Sequence, residues 1–508
     1  MHVIGLDIGT TGVKSILLNE EGKLAAEATA SYPIHSPQTN WFEQNPEDWW
    51  AATEASIRQI LSRAGLRPAE VAGIGLSGQY HGLVLLDKEG RVLRPCILWN
   101  DQRTHEQARE VVGKVGAGKL MQIACTRGAL YFTACKLLWV RRHEPEVYAR
   151  SAKMLLPKDY IRYRLTGEFA TDVSDASGTM LLNIAERKWS PELCQALDIP
   201  LNLLPEVHES CQVTGQLSAS AAKGLGLEPG LLVVGGGGDQ ACAAVGNGIT
   251  DQGIVGYSVG TSGVIYAATD EVKTDDGGRV DTFCHAVPGR WALLGVTNSA
   301  AASLAWFQQS FAAYERAQAD QQKRSVFSIL EEQAGSVRPG SDKLFFLPYL
   351  GGERHPHQDP NARGAFIGLH SGHGLAHAAR AVMEGVAYSF RDCLEIMRGL
   401  GVDTREIRGT GGGMKSRLWA EIQANVSGER LLLTTTDEGG AAYGAAILAL
   451  VGARRYASVQ EACGRLVRFD KKIKPDPETQ ARYDRYFQLY RSLYPSLKSR
   501  YAGLAALP

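Results

Sequence analysis

Through the first thirty residues, apolar and polar positions fall into short runs with the two-residue period of strands. Val3-Ile4-Gly5-Leu6 and Val13-Lys14-Ser15-Ile16-Leu17-Leu18 flank the small-residue stretch Asp7-Ile8-Gly9-Thr10-Thr11-Gly12, a pattern that predicts a β-hairpin. Asn19-Glu20-Glu21-Gly22-Lys23 reads as a second turn and residues 24–32 as a third strand. The period then lengthens: Asn45 is an N-cap, Pro46 the first helical residue, and the helix runs to about Ala64, where Gly65 stops it. Residues 71–76 form a buried strand that ends in Ser77-Gly78-Gln79-Tyr80-His81-Gly82; residues 83–87 and the run Ile97-Leu98-Trp99-Asn100-Asp101 are further strand-like segments. Residues 106–149 are mostly helical with a break near 126–129, and Lys136-Leu137-Leu138-Trp139-Val140 lies on a core-packed amphipathic helix. Leu155-Leu156-Pro157-Lys158-Asp159-Tyr160 leads into another helix, and residues 171–179 are expected to be a polar loop.

In the second half, residues 231–234 form a strand feeding Gly235-Gly236-Gly237-Gly238-Asp239-Gln240 and then a helix. The opening pattern now recurs: Ser258-Val259-Gly260-Thr261-Ser262-Gly263-Val264 matches Asp7-Ile8-Gly9-Thr10-Thr11-Gly12-Val13, again between two strands. A repeat at this distance predicts two domains of related plan, residues 1–246 and 247–508. A small-residue helix follows Thr297-Asn298-Ser299, a strand over 344–350 ends at Gly351-Gly352-Glu353-Arg354, and residues 376–398 form a long helix. Residues 407–410 lead through Gly411-Gly412-Gly413-Met414-Lys415-Ser416 into a helix from Arg417. Gly439-Gly440-Ala441-Ala442-Tyr443-Gly444 reads as a tightly packed, structural helix start, and residues 475–501 as a Tyr-rich amphipathic helix docked on the outside.

Composition narrows the partner. Lys+Arg and Asp+Glu both number 54, so nothing marks the chain for nucleic acid or an anionic membrane, and a small molecule is the expected ligand. No apolar run is long enough to span a bilayer, and no secretory leader precedes the first strand. The nine cysteines are scattered with no C-x-x-C, which argues against a disulfide framework or zinc site and for a reducing cytoplasm.

The candidate chemistry sits at strand ends. A Gly/Thr turn can offer several N–H groups to one anion, and Asp7 stands where a phosphate-bound metal needs an oxygen; the turn could equally be only a turn. No Gly-Lys-Ser/Thr closes it, so it is not a Walker loop. Gln79, Tyr80, His81, Asn100 and Asp101 would cradle a hydroxyl-rich ligand, or serve as ordinary turn residues. Asp239, held rigidly after four glycines, fits a general base, with helix capping the alternative. The 411–416 glycine turn could let a nucleotide base lie against backbone, or hold no ligand.

In their order along nearly the whole chain, these segments resemble the FGGY carbohydrate kinases of the actin-like ATPase superfamily. The resemblance rests on the Asp7–Thr11 turn, Lys136-Leu137-Leu138-Trp139, the Asp239 junction, Gly260-Thr261-Ser262-Gly263, Gly352-Glu353-Arg354 and Gly411-Gly412-Gly413. It implies an α/β fold of two ribonuclease-H-like domains with ATP, Mg²⁺ and sugar in the cleft between them. It also implies phosphoryl transfer to a primary hydroxyl of D-xylulose, with ribulose or glycerol as alternative acceptors, and a homodimer. By the same resemblance Asp239 is the catalytic base and Asp7 lies on the metal side. Thr10, Thr11, Lys14, Gly260 and Thr261 face the phosphates, while Ala301, Gly412, Gly413 and Ser416 line the nucleoside site. Gln79, Tyr80, His81, Asp239 and Gln240 hold the sugar. Tyr80, Tyr131 and Gln240 depart from the commonest pattern, and all three bear on which sugar is taken.

Overall fold

A computed structural model describes residues 1–435 and 440–507. Two mixed sheets organise it. In the first, β1 (His2–Ile8), β2 (Gly12–Asn19) and β3 (Leu24–Ser31) form the expected antiparallel meander. β4 (Val71–Gly78) lies parallel to β1, and β6 (Leu232–Val234) parallel to β4, with β5 (Val213–Gln216) antiparallel outside it. The strand order is β5-β6-β4-β1-β2-β3.

The second sheet repeats this plan. β7 (Gly253–Val259) and β8 (Gly263–Thr269) are the second hairpin; β9 (Asp281–Cys284) and β10 (Trp291–Thr297) extend it antiparallel. β11 (Thr404–Thr410) runs parallel to β7 and β12 (Leu431–Thr434) parallel to β11, while β13 (Phe469–Ile473) closes the edge antiparallel. In both sheets an antiparallel hairpin feeds two parallel strands, which need the crossover helices found between them.

Helix α1 (Pro46–Ala64) begins and ends as the sequence predicts: Asn45 accepts the Glu47 N–H at 3.2 Å, and Gly65 at φ +63° closes the last turn. The remaining helices that shape the molecule are α2 (Thr133–His143), α3 (Pro157–Thr166), α4 (Asp239–Gly246), α5 (Ala301–Phe311), α6 (Leu375–Gly399), α7 (Arg417–Ser427), α8 (Gly440–Gly452) and α9 (Pro477–Ala505). Gly439, at the start of the small-residue stretch, lies outside the described residues.

α8 follows the second sheet in sequence yet packs on the first. A methyl group at Gly75 of β4 would sit 1.9 Å from the Ala445 carbonyl oxygen, and one at Gly444 would sit 1.8 Å from that of Cys242 in α4. Bare backbone is what allows α8 to touch β4 and α4 so closely. Ile447, Leu448 and Leu450 are fully buried in the cluster that results, each worth about 1.5–3 kcal/mol of burial. α9 is more than an outer ornament: Tyr483, Phe487, Tyr490 and Tyr494 enter the core against α6.

One segment corrects the sequence reading. Residues 171–179 are not a loop. Ala170–Asp172 is a short strand paired with Glu206–His208, followed by the helical turn Val173–Ala176 and the 3₁₀ turn Ser177–Thr179, with every side chain buried.

Candidate active site

The register of the first sheet sets the first group of residues. β1 and β4 pair with Asp7 opposite Ser77, and Ser77 Oγ donates to Asp7 Oδ1 at 2.8 Å. Burial raises the Asp7 pKa against the opposing pull of Ser77 and Lys14. Lys14, opposite Asp7 on β2, is paired with Glu27 at 3.0 Å. Thr10 accepts the Trp99 indole N–H at 3.1 Å, and Thr11 is exposed at the tip of the turn.

Beyond β4 the chain turns away from the sheet. Gln79 Nε2 donates to Gln44 Oε1 at 3.0 Å, and Gln44 Nε2 donates to the Thr10 carbonyl at 2.7 Å, tying the hairpin turn to the end of β4. The Gln79 Oε1 atom is buried with no hydrogen-bond partner, an acceptor left for a ligand hydroxyl. His81 adopts φ +67°, and its Nδ1 lies 2.8 Å from the Gly178 carbonyl. Since a carbonyl only accepts, Nδ1 carries the proton and Nε2 keeps its lone pair. Burial first, then the Lys136 charge, pushes the His81 pKa down to about 3, so the ring is neutral. The Tyr80 ring lies against Gly238, where a methyl group would fall 2.0 Å from Cζ.

Asp239 is the first residue of α4. Gly238, in extended conformation, takes the N-cap position, so Asp239 does not serve as that cap. Asp239 and Gln240 are half-buried. The Asp239 pKa rises to about 7, chiefly through burial, then through the Asp7 charge, against a smaller lowering by Gln240. A carboxylate that titrates near neutrality and remains accessible has the properties of a general base.

The buried 171–179 segment supports this position. Gly238 N–H donates to Ser174 Oγ at 3.2 Å, and Ser174 Oγ donates to Asp172 Oδ2 at 2.6 Å. Lys158 Nζ lies 2.6, 3.0 and 3.4 Å from carboxylate oxygens of Asp159, Asp172 and Asp175, all four side chains being fully buried. Burial drives the Asp175 pKa well above the usual carboxylate range, despite the Lys158 charge. The two sequence stretches around Lys158 and Asp175 thus meet beneath the Asp239 junction.

A second group gathers at the other sheet. Ala301 N–H donates to the Gly260 carbonyl at 2.8 Å, and Ala300 and Ala302 donate to the Thr261 carbonyl at 3.0 and 3.2 Å, fastening the second hairpin turn to the start of α5. Thr261, Ala301, Gly412, Gly413 and Ser416 share the wall of one cavity of about 730 Å³, with Trp306, Phe327 and Trp419 supplying apolar surface. Gly411 adopts φ +87°, and a methyl group there would lie 2.8 Å from the Val259 carbonyl oxygen. At Gly412 a methyl group would meet nothing within 4 Å, because that position faces open cavity. Ser416 also caps α7, accepting the Trp419 N–H at 3.1 Å.

One placement departs from the sequence reading, and several contributors were not foreseen. Asp101 does not belong to a ligand cradle: it is spent on Arg103 and the Phe42 N–H, both at 2.7 Å. Tyr131, expected near the sugar site, lies beside His81 and also meets the second sheet. Its hydroxyl donates to Asp281 at 3.1 Å, Arg354 donates to the same oxygen at 2.9 Å, and the guanidinium stacks 3.9 Å from the Tyr131 ring centroid. The Tyr131 and His81 rings are 5.1 Å apart, so this cluster borders the His81 side. Although burial opposes it, neighbouring His355 and Arg354 hold Asp281 ionised, below its usual pKa. Gln44 and Asp281 carried no sequence signal; Arg354 stood in a recognised stretch without an assigned role.

With a carboxylate of neutral pKa beside polar groups suited to hydroxyls, and a separate cavity framed by a second Gly/Thr turn, the molecule has the parts of a kinase for polyhydroxy substrates. Residues 2–246 match the N-terminal domain, and residues 255–453 the C-terminal domain, of the FGGY family of carbohydrate kinases. The chain belongs to that family and is a carbohydrate kinase acting with ATP, built on the two-body fold of the actin-like ATPases. It is 40% identical to the xylulose kinase of Escherichia coli, over 97% of this chain and 99% of that protein, and 37% identical to the xylulose kinase of Bacillus subtilis, over 98% and 97%. The solved structure of a xyloylose kinase from Brucella ovis superposes with a TM-score of 0.90 at 36% identity, covering 98% of this chain and all of that one. The glycerol kinase of Plasmodium falciparum with ADP shares the fold, TM-score 0.86, at 20% identity over 98% of each chain.

Proposed function

We propose that this kinase transfers the γ-phosphoryl group of ATP to the terminal primary hydroxyl of D-xylulose, giving D-xylulose 5-phosphate and ADP. The observation that carries the reading is Asp239: set at the start of α4, accessible, shifted to a pKa of about 7, and preceded by Gly238, against which the Tyr80 ring lies. Asp239 accepts the proton of the attacking hydroxyl as the O–P bond forms. Gln79 Oε1 and the His81 Nε2 lone pair accept hydrogen bonds from other sugar hydroxyls, and Tyr80 and Gln240 bound the same site. Thr10, Thr11 and Lys14 approach the phosphates from the first body, Lys14 exchanging Glu27 for phosphate. Gly260 and Thr261 approach from the second, and the nucleoside occupies the cavity beside Ala301, Gly412, Gly413 and Ser416. Phosphoryl transfer depends on positioning and charge neutralisation more than on covalent chemistry, which suits two turns set on two rigid sheets.

The residues fit a magnesium ion carried in with the nucleotide. Asp7 and Asp239 stand close enough for the charge of Asp7 to raise the pKa of Asp239, an arrangement that favours a cation between them and the phosphates. Among the described residues no cluster forms a self-sufficient metal cage. Asp7 would hold the ion, which when bound neutralises phosphate charge.

Names of relatives support xylulose as the acceptor, and a gluconokinase of Bacillus subtilis at 27% identity marks a different chemistry among them. ADP release measured over xylulose, ribulose, glycerol and gluconate tests the reading. Xylulose should give the highest kcat/KM by at least tenfold, and a preference for glycerol would overturn it. A cytoplasmic homodimer completes this reading. The nine cysteines, free thiols of which eight are buried, suit the reducing compartment of this reading, and the dimer rests on the family resemblance alone. Light scattering tests the dimer.

A further inference from the structure

A cleft of about 990 Å³ lies on the second body between the turn 340–343, the segment leading into α6 and one face of α9, and it shares no lining residue with the nucleotide cavity. Its charges are one-sided: Arg338, Lys343, Arg482 and Arg485 against the single carboxylate of Asp342. Arg338 pairs with Asp342 at 2.7 Å, whereas Lys343 and Arg485 have no carboxylate partner among the described residues.

The histidines of the cleft are fixed as donors. His370 Nδ1 accepts the Gly372 N–H at 3.0 Å, His373 Nδ1 that of His370 at 3.3 Å, and His377 Nδ1 that of Gly374 at 3.2 Å. A neutral imidazole that accepts at Nδ1 carries its proton at Nε2. All three rings therefore present Nε2–H, which suits an anion and does not suit a metal. His373 and His377 direct theirs at Asp342, at 3.2 Å to its carbonyl and 3.4 Å to its carboxylate. The N-terminal end of the 25-residue helix α6 adds positive potential at the same place.

The turn itself is strained. Gly340, Ser341, Asp342 and Lys343 have φ of +91°, +47°, +48° and +76°, so three consecutive side-chain-bearing residues are left-handed. Such runs persist only where surrounding structure enforces them, and they gather at ligand sites. Here buried Glu384 enforces it, accepting the Gly340 N–H at 2.9 Å and the Ser341 hydroxyl at 2.8 Å while itself held by Arg380 and Tyr483, each at 2.7 Å.

We propose that this cleft binds a small phosphorylated molecule, its phosphate taken by Lys343, Arg485 and the His370 Nε2–H beside the His373 and His377 rings, its organic part lying against Tyr486. The site is separate from the proposed substrate sites and does not depend on which sugar is phosphorylated. The test uses the full-length enzyme labelled at histidine ¹³Cε1, whose twelve rings give resolvable signals assigned by single His→Gln variants. Ribose 5-phosphate should shift the His370, His373 and His377 signals saturably, while ribose and ionic-strength-matched sodium chloride should not. In Lys343→Glu/Arg485→Glu the apparent Kd should rise at least tenfold, with the sugar-phosphorylation rate unchanged as evidence of folding. Equal shifts with ribose or chloride, or an unchanged Kd in the double variant, would overturn the proposal.

Discussion

Replacing Asp239 with asparagine keeps its shape and removes its charge and basicity, and the structure requires activity and stability to move in opposite directions. A positioned general base contributes roughly 10²–10⁴ in rate, so kcat should fall by that factor, about 3–5 kcal/mol of transition-state stabilisation. Nucleotide affinity should be nearly preserved, because the cavity at Gly412 and Gly413 does not involve this residue. Stability follows from the raised pKa. The carboxyl titrates at about 7 in the fold against an ordinary 3.8, first because burial strips its water and then because of Asp7. The folded state therefore binds this proton more tightly than the unfolded chain, and stability is lost as pH rises from about 4 to about 7. At about 1.4 kcal/mol per pH unit the ionised group costs the fold on the order of 4 kcal/mol, trimmed to about 2–4 kcal/mol by solvent reaching a half-buried site. The neutral amide of the variant does not carry that cost. Calorimetry of the nucleotide-free protein should show Asp239→Asn melting several degrees above wild type at pH 8, the gap closing towards pH 4. In wild type, kcat/KM for the sugar should fall tenfold per pH unit below about 7. Activity within tenfold of wild type, or a lower melting temperature at pH 8, would refute the reasoning.

Gly412→Leu should fill nucleotide space, raising the ATP KM tenfold or more with the sugar KM unchanged. Gly413→Ala, whose methyl group would lie 2.4 Å from Val259 Cγ1, should instead destabilise by about 1–3 kcal/mol in a denaturant titration. Lys158→Met strands Asp159 and Asp172 in the interior without their cation and should cost about 3–5 kcal/mol of unfolding free energy. Tyr131→Phe deletes one hydrogen bond to Asp281, about 1 kcal/mol, and should raise the sugar KM roughly fivefold in steady-state assays while leaving that for ATP unmoved.

Elements whose causes are local were legible in the sequence. The caps of α1 and both Gly/Thr hairpins depend on residues adjacent in the chain, and the structure forms them at the expected positions. Residues 171–179 were not legible, because Ser, Asp, Thr and Gly signal a loop unless a distant cation buries them. Here that cation is Lys158. Asp101 looked available for the same reason, its partner Arg103 being only two residues away but reading as an exposed charge. The apolar run of α8 announced burial but not the surface that covers it. Its packing on β4 depends on Gly75 and Gly444, whose role is visible only once two distant backbones are seen to touch. Site residues on strand ends could be picked out by type, whereas Gln44 and Asp281 act through partners 35 and 150 residues away.

The repeated plan allows the two bodies to carry different halves of the proposed reaction. In the first hairpin Asp7 lies opposite Lys14, whereas its counterpart Ser258 in the second lies opposite Val264. Only the first therefore brings charge to its turn. The other carboxylate of the proposed centre, Asp239, also belongs to the first sheet, reached through the Gly237–Gly238 pairing beside Ser77 and Gly78 of β4. That Asp7 lifts the pKa of Asp239 is a consequence of one sheet presenting both acids. The second sheet uses the same hairpin differently: its turn carbonyls receive the first N–H groups of α5, which closes one wall of a largely apolar cavity next to the 411–413 turn. A duplicated scaffold thus separates the two acids from the proposed nucleoside cavity, while α8, which follows the second sheet in sequence, packs closely on α4 of the first body.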